Sequence, residues 1–204
     1  MKTDDTGGLS LLQDDNVVSL IVAATSYCAL VETDSTRVWT LESMHECRSI
    51  LAGVYASMLR LPHIDQAVRY DTVEPMERIV TEESYRKVLI RLSKFFGEED
   101  RFPEAHQEAQ KLSERPVSLS VSELMADLYQ ALADPMWNIR QNGSSALPEI
   151  LADLSLTFEI EWGKKLLSVL KQLHNLINNP SFEPSETALT KRDIEDYGYD
   201  EETD

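Results

Sequence analysis

Apolar residues recur at the helical period wherever they cluster along this chain. The longest such stretch runs from Leu147 to Asn178 and reads LPEILADLSLTFEIEWGKKLLSVLKQLHNLIN. Leu147, Leu151, Leu154, Phe158, Trp162, Leu166, Val169, Leu173 and Leu176 are spaced by threes and fours, the period of one helix face and not of a strand. A second row, Leu156, Ile160, Gly163, Leu167, Leu170, His174 and Ile177, runs beside it. Successive helical residues are about 100° apart, so the two rows form an apolar face nearly half the circumference wide. A face that wide needs at least two neighbours, which predicts a central rod in an all-helical bundle.

The rest of the chain supplies those neighbours. Residues 1–14 read as a polar, flexible lead. Asp14 or Asp15 can cap a helix over 16–32, striped by Val17, Ile21, Ala24, Cys28 and Val31. After the turn cluster TDST, a second helix is expected over 37–60, with Leu41, Met44, Cys47, Leu51, Val54 and Met58 inward and Pro62 as its stop. The short link predicts an antiparallel hairpin of these two. Residues 63–80 are weakly patterned. Thr81, with Glu82 and Glu83 behind it, opens a third helix that closes at Gly97. Residues 98–119 are polar, with room for a short exposed helix over 104–111. Ser120-Val-Ser-Glu123 reads as a capping box for a fourth helix over 121–133. Pro135 and the run Gln-Asn-Gly-Ser-Ser bracket a short separate piece around Trp137. Pro148 then suits the first turn of the long helix, with Ser144 or Ser145 as cap. Pro180 and Pro184 end the domain at 178. Residues 179–204 carry nine acids against Lys191 and Arg192, net −7, and read as an acidic, disordered tail, with a docking peptide as the sharper alternative. The prediction is one all-α domain over 15–178, an antiparallel bundle of five or six helices with a long C-terminal core helix.

Charge changes the picture more than composition does. The 204 residues carry a formal charge of −17, about −10 of it outside the tail. That disfavours nucleic acid and anionic membrane, whose recognition needs clustered Lys and Arg, and leaves room for a basic protein partner. Gly and Pro together number 15, too few for a β-meander. Cys28 and Cys47 fall in apolar helical stripes without a CxxC, as buried thiols of a reducing cytoplasm do. No basic-then-apolar leader opens the chain. The apolar run Val17–Val31 is about fifteen residues long, short for a bilayer span.

Candidate chemistry is sparse. GxSxG, P-loop, GxGxxG and HExxH motifs are all missing, so no catalytic, cofactor or metal residue is assigned. Glu42-x-x-His45 has the spacing of a helical metal-ligand pair, but di-metal bundles use two such pairs and two further glutamates. A surface Glu–His pair is the simpler reading. Gly163 beside Trp162 is the other anomaly. Glycine inside a helix costs about 1 kcal/mol relative to alanine, so a close contact, a bend or a ligand should offset it. His174 lies on the same apolar side as a core histidine. A pocket at Trp162 lined by His174 and carboxylates favours an enzyme; dry leucine packing there disfavours one.

The order Tyr27-Cys28, Val31-Glu32, Val54-Tyr55-Ala56, Leu61-Pro62, SVSELMADLYQAL at 120–132, and Phe158-x-x-x-Trp162-Gly163 with Leu173-His174 resembles the bacterial domain-of-unknown-function family 5063, over residues 15–178. The resemblance implies an all-helical cytoplasmic protein and names no activity. It also implies histidine just before the Trp-Gly pair, where this chain has Glu161. Three functions then compete: a noncatalytic interaction or scaffold module, with homodimerisation open; a helical-bundle enzyme or metal protein near Trp162/His174 or Glu42/His45; and an acidic mimic of nucleic acid.

Overall fold

A computed structural model describes residues 6–32, 38–64, 76–104, 117–190 and 193. The chain order is α1 (Thr6–Leu11), α2 (Asp15–Glu32), α3 (Leu41–Met58), α4 (Glu82–Phe96), a two-stranded antiparallel ribbon of β1 (Arg101–Glu104) and β2 (Val117–Ser120), α5 (Val121–Asn142), α6 (Leu147–Thr157) and α7 (Gly163–Ile177). A π-helical turn, Phe158–Trp162, joins α6 to α7 without a break, so the described residues form six rods. The all-helical bundle and its long C-terminal rod stand as expected. The TDST link (33–36), residues 65–75 and the helix expected over 104–111 lie outside the described residues, apart from Glu104 in β1.

The hub of the bundle is α5 rather than the C-terminal rod. It touches α2, α4, α6 and α7, while α7 packs on α3 and α5. The break expected at Pro135 does not occur: α5 runs straight through it. Leu128, Tyr129, Leu132, Met136 and Ile139 are buried at continuous helical spacing, and that burial outweighs the lost hydrogen bond of one proline. Its N-terminus is half of the expected capping box. Ser120 Oγ accepts from the Glu123 N–H at 3.1 Å, but Glu123 is exposed and a buried remote carboxylate does the rest. Asp100 takes the hydroxyls of Ser120 and Ser122 and the Ser122 N–H, each at 2.8 Å.

Local signals set the other boundaries. The Asp14 carboxylate accepts from Asn16 and Val17 N–H at the start of α2. In α2, seven residues from Val17 to Val31 are core; its 18 residues and mean hydropathy of 1.3 make it long and apolar enough to cross a membrane, more than the fifteen-residue run suggested. Thr40 and Ser43 form a reciprocal capping box for α3, which starts at the first residue of its stripe, four residues later than the expected bound of 37. Thr81 caps α4 and Gly97, at φ +57°, ends it, both as expected. Neither Ser144 nor Ser145 caps α6: a 3₁₀ turn over Gly143–Ala146 intervenes, and Ser145 Oγ donates back to the Asn142 carbonyl.

Both expected tails belong partly to the fold. α1 lies against the 143–146 turn and α6, with Gly8 so close that an added Cβ would overlap the Ser144 carbonyl. Beyond α7, Phe182 is buried in the core. Prolines 180 and 184 end the helix, as read, without ending the ordered chain. Residues 191–204, Asp193 excepted, lie outside the described residues.

Candidate functional site

Two polar rows face each other between α5 and the C-terminal rod. On α5, Asp127, Ala131 and Asp134 follow at i, i+4 and i+7; on the rod, Asp153, Thr157, Glu161 and Lys165 follow at steps of four. With Trp162, Gln130, Pro135, Met76 and Arg78 they line a cleft of ≈ 310 Å³. The incoming segment 76–80 is fastened to α5 to form one wall. Asp134 Oδ1 accepts from the Ile79 and Val80 N–H groups at 2.9 and 3.0 Å. The Asn138 amide accepts from Glu77 N–H at 3.1 Å and donates to Glu77 carbonyl at 2.8 Å.

Across the cleft Lys165 Nζ donates to Asp127 Oδ2 at 2.8 Å and to Glu161 Oε1 at 3.2 Å. Tyr85 Oη donates to Asp127 Oδ1 at 2.7 Å. Partial burial acts to lower the Lys165 proton affinity. The bonds and charges of Asp127 and Glu161 outweigh it and raise that affinity above the usual lysine value. Lys165 is therefore a standing cation and not a nucleophile or base.

Both helices are irregular where they border the cleft. Pro135 has no N–H to give the Ala131 carbonyl, four residues back, and both residues line the cleft. On the rod, Gly163 N–H reaches five residues back to the Phe158 carbonyl, the π-helical pattern that recurs at functional sites. The extra residue turns Trp162 inward, where its Nε1 donates to Thr157 Oγ1 at 3.0 Å and its ring meets Phe158 edge-on at 4.7 Å. Gly163 is thereby explained. A Cβ there would lie 2.5 Å from Phe158 O and 3.1 Å from its ring, so the close contact is with its own rod.

The sequence candidates divide. Trp162 and Glu161 belong to the cleft. His174 does not: it is exposed, its carbonyl accepting from Asn178 Nδ2 at 2.7 Å, in the same outer row as the exposed Ile160 and Leu167. Glu42 and His45 are exposed on α3, and among the described residues no group of three or more His, Cys, Asp or Glu is placed to hold a metal. Cys28 and Cys47 are buried and free; burial pushes the Cys28 thiol up to about 12 and raises Cys47 further, so neither is a ready thiolate. The sequence spacing allows the Glu161–Lys165 pair, read as ordinary surface helix chemistry, and the structure forms it; the sequence reading missed Asp127, Asp134, Asp153 and Tyr85. Their i, i+4 rows were visible, but resemble any solvated helix face.

A family model described as Domain of unknown function (DUF5063) matches residues 12–179. The chain belongs to this family. The match covers the bundle from the end of α1 to the end of α7, as the sequence resemblance implied. No curated protein matches the chain. The crystal structure of protein BF1032 from Bacteroides fragilis is similar at 23% identity with a TM-score of 0.66, over 85% of this chain and 99% of that one; the likeness concerns the fold. In this DUF5063 chain the position where histidine was implied, Glu161, lies on the cleft and pairs with Lys165.

Proposed function

We propose that this DUF5063 protein is a noncatalytic recognition module in the cytoplasm whose cleft receives a cationic side chain, lysine or arginine, of a basic protein partner. The observation that carries this reading is the cleft's net negative charge. Asp127, Asp134, Asp153 and Glu161 outnumber Arg78 and Lys165, and Pro135 adds a backbone carbonyl without its helical donor. The carboxylates are too dispersed for one metal ion but suit an elongated ammonium or guanidinium group, which donates in several directions. A noncatalytic role fits the chemistry. Asp134 and Asp127 already hold donors, and the bonds and charges of Asp127 and Glu161 raise the Lys165 proton affinity, so Lys165 positions charge and does not act as a base.

The test is titration of the full chain with lysine-rich and arginine-rich peptides at two salt concentrations. Asp153→Asn with Glu161→Gln should weaken binding at least tenfold, while Glu42→Gln, on distant α3, leaves it unchanged. Equal losses from cleft and distant variants would mean that the peptides only sense the net charge of −17, and the cleft reading would fall.

A further inference from the structure

After a turn over 179–182, the chain beyond α7 runs without regular structure along the bundle and touches it through few groups. Phe182 inserts its ring beside Phe95, centroids 6.1 Å apart and nearly perpendicular, and Phe95 in turn stacks edge-on against Trp39 at 5.5 Å and Phe96 at 5.2 Å. Four residues later, Glu186 Oε1 accepts the Leu41 N–H, in the first turn of α3, at 3.0 Å. Between them the Ser185 N–H donates to the Phe95 carbonyl in the last turn of α4 at 3.1 Å. Lys94 Nζ donates to the Ala188 carbonyl at 3.2 Å and to Asp193 Oδ2 at 2.8 Å. Ser181, Glu183 and residues 185–188 are exposed.

This is the contact pattern of a bound peptide more than of a core segment. The bundle contributes one aromatic slot and groups that helix ends leave open: an N-terminal amide at the positive end of α3, a C-terminal carbonyl of α4, and one lysine. The segment contributes one aromatic anchor, carboxylates at the two cationic positions, and backbone. Pro180 sits in the turn over 179–182, where the Phe182 N–H donates to the Asn179 carbonyl, and Pro184 fixes its own backbone beyond it, which lowers the ordering the segment requires. The groove is also imperfectly served, since the Trp39 indole N–H in this ring cluster is buried without a hydrogen-bond partner.

We propose that the groove between the start of α3 and the end of α4 is a docking surface for an extended segment of a partner protein that carries an aromatic anchor and a carboxylate four residues after it; residues 182–186 of this chain fill it in cis. The site is separate from the α5 cleft and has the opposite charge preference, acidic where the cleft takes cations. A tethered occupant competes at high effective concentration, so a partner must match the groove better than Phe182 and Glu186 do, or act when the strap is loosened.

The probe is a fluorescein-labelled peptide of residues 179–193, read by fluorescence polarisation against the full chain. The unaltered chain should bind it weakly. The full chain carrying Phe182→Ala and Glu186→Ala, with circular dichroism confirming its fold, should bind it at least tenfold more tightly. Adding Lys94→Ala should weaken that binding several-fold, and a peptide with Phe182→Ala should not bind. If the double substitution unfolds the chain, Glu186→Gln alone serves, with a smaller gain of the same sign. Equal affinity of altered and unaltered chains would overturn the proposal, showing the segment to be an integral part of the bundle. A stable dimer of the unaltered chain that Phe182→Ala dissolves would also overturn it, assigning the groove to the strap of a second copy.

Discussion

Gly163→Ala reverses the usual sign of a glycine substitution. In an ordinary helix interior alanine gains about 1 kcal/mol over glycine. Here the new Cβ would stand 2.5 Å from Phe158 O and 3.1 Å from Phe158 Cδ2 and Cε2. Phe158 cannot simply swing away, because its ring is held between Tyr55 at 5.4 Å and Trp162 at 4.7 Å. Overpacking of this kind costs about 1–3 kcal/mol. Separating Gly163 N–H from Phe158 O forfeits about 1 kcal/mol more. Against the propensity gain, the net expectation is a loss of about 1–3 kcal/mol, or a melting temperature lower by about 2–12 °C for a chain of this size. Urea denaturation followed by tryptophan fluorescence measures the free energy, and circular dichroism the midpoint. An unchanged or higher stability would refute the reasoning. It would mean that the turn relaxes to α-helix at no expense and that the glycine is incidental.

Other substitutions test other parts of the structure. Asp100→Ala leaves two serine hydroxyls and the Ser122 N–H without their acceptor in the interior; it should cost about 2–4 kcal/mol in urea unfolding, and Asp100→Asn should recover part of that. Asp134→Ala removes the shared acceptor of the Ile79 and Val80 N–H groups, so those two amides should exchange with solvent at least tenfold faster by native-state hydrogen exchange while α4 amides do not. The Asp193 carboxyl is held down at about 2 by hydrogen bonds from Lys94 and Thr190. Because the folded value is depressed, the attachment is complete above the ordinary aspartate value near 4 and is lost as pH falls through about 2. The Thr190 amide resonance should titrate in that window, and high salt should weaken the partly exposed pair throughout.

Helix boundaries were legible where the determinants are local. Thr81 and Gly97 bracket α4 because a cap and a left-handed glycine act within one turn. Where the determinant is tertiary, the sequence misled. Pro135 reads as a break, yet α5 continues past it with Leu132 and Met136 buried on either side. The 101–104 and 117–120 strands are four residues each and owe their pairing to each other, a relation with no periodic trace. Phe182 reads as a lone aromatic in an acidic tail until Phe95 is seen beside it. The cleft was half legible. Gly163 marked the place, because a helical glycine needs a cause. The acids did not, because with a net charge of −17 almost any helix carries a row of them, and only the packing of α5 against the rod shows which rows face each other.

That packing links the irregularities to the cleft by an argument that can be tested. α5 and the C-terminal rod could lie in close contact along their length if both were regular. Instead a proline without its helical donor bond and a π-turn with an extra residue both border the same cleft. If the π-turn shapes the cleft, Gly163→Ala should weaken lysine-peptide binding beyond what its loss of stability explains. Gly143 supplies the matched control. It ends α5 at φ +67° with open space around it, so Gly143→Ala costs about 1–2 kcal/mol through backbone strain alone and leaves the cleft untouched. Both variants should melt lower, and only Gly163→Ala should bind the peptide less, measured well below either melting point. Parallel losses of binding in the two variants would show that the cleft depends on global stability and that the π-turn has no special part in it.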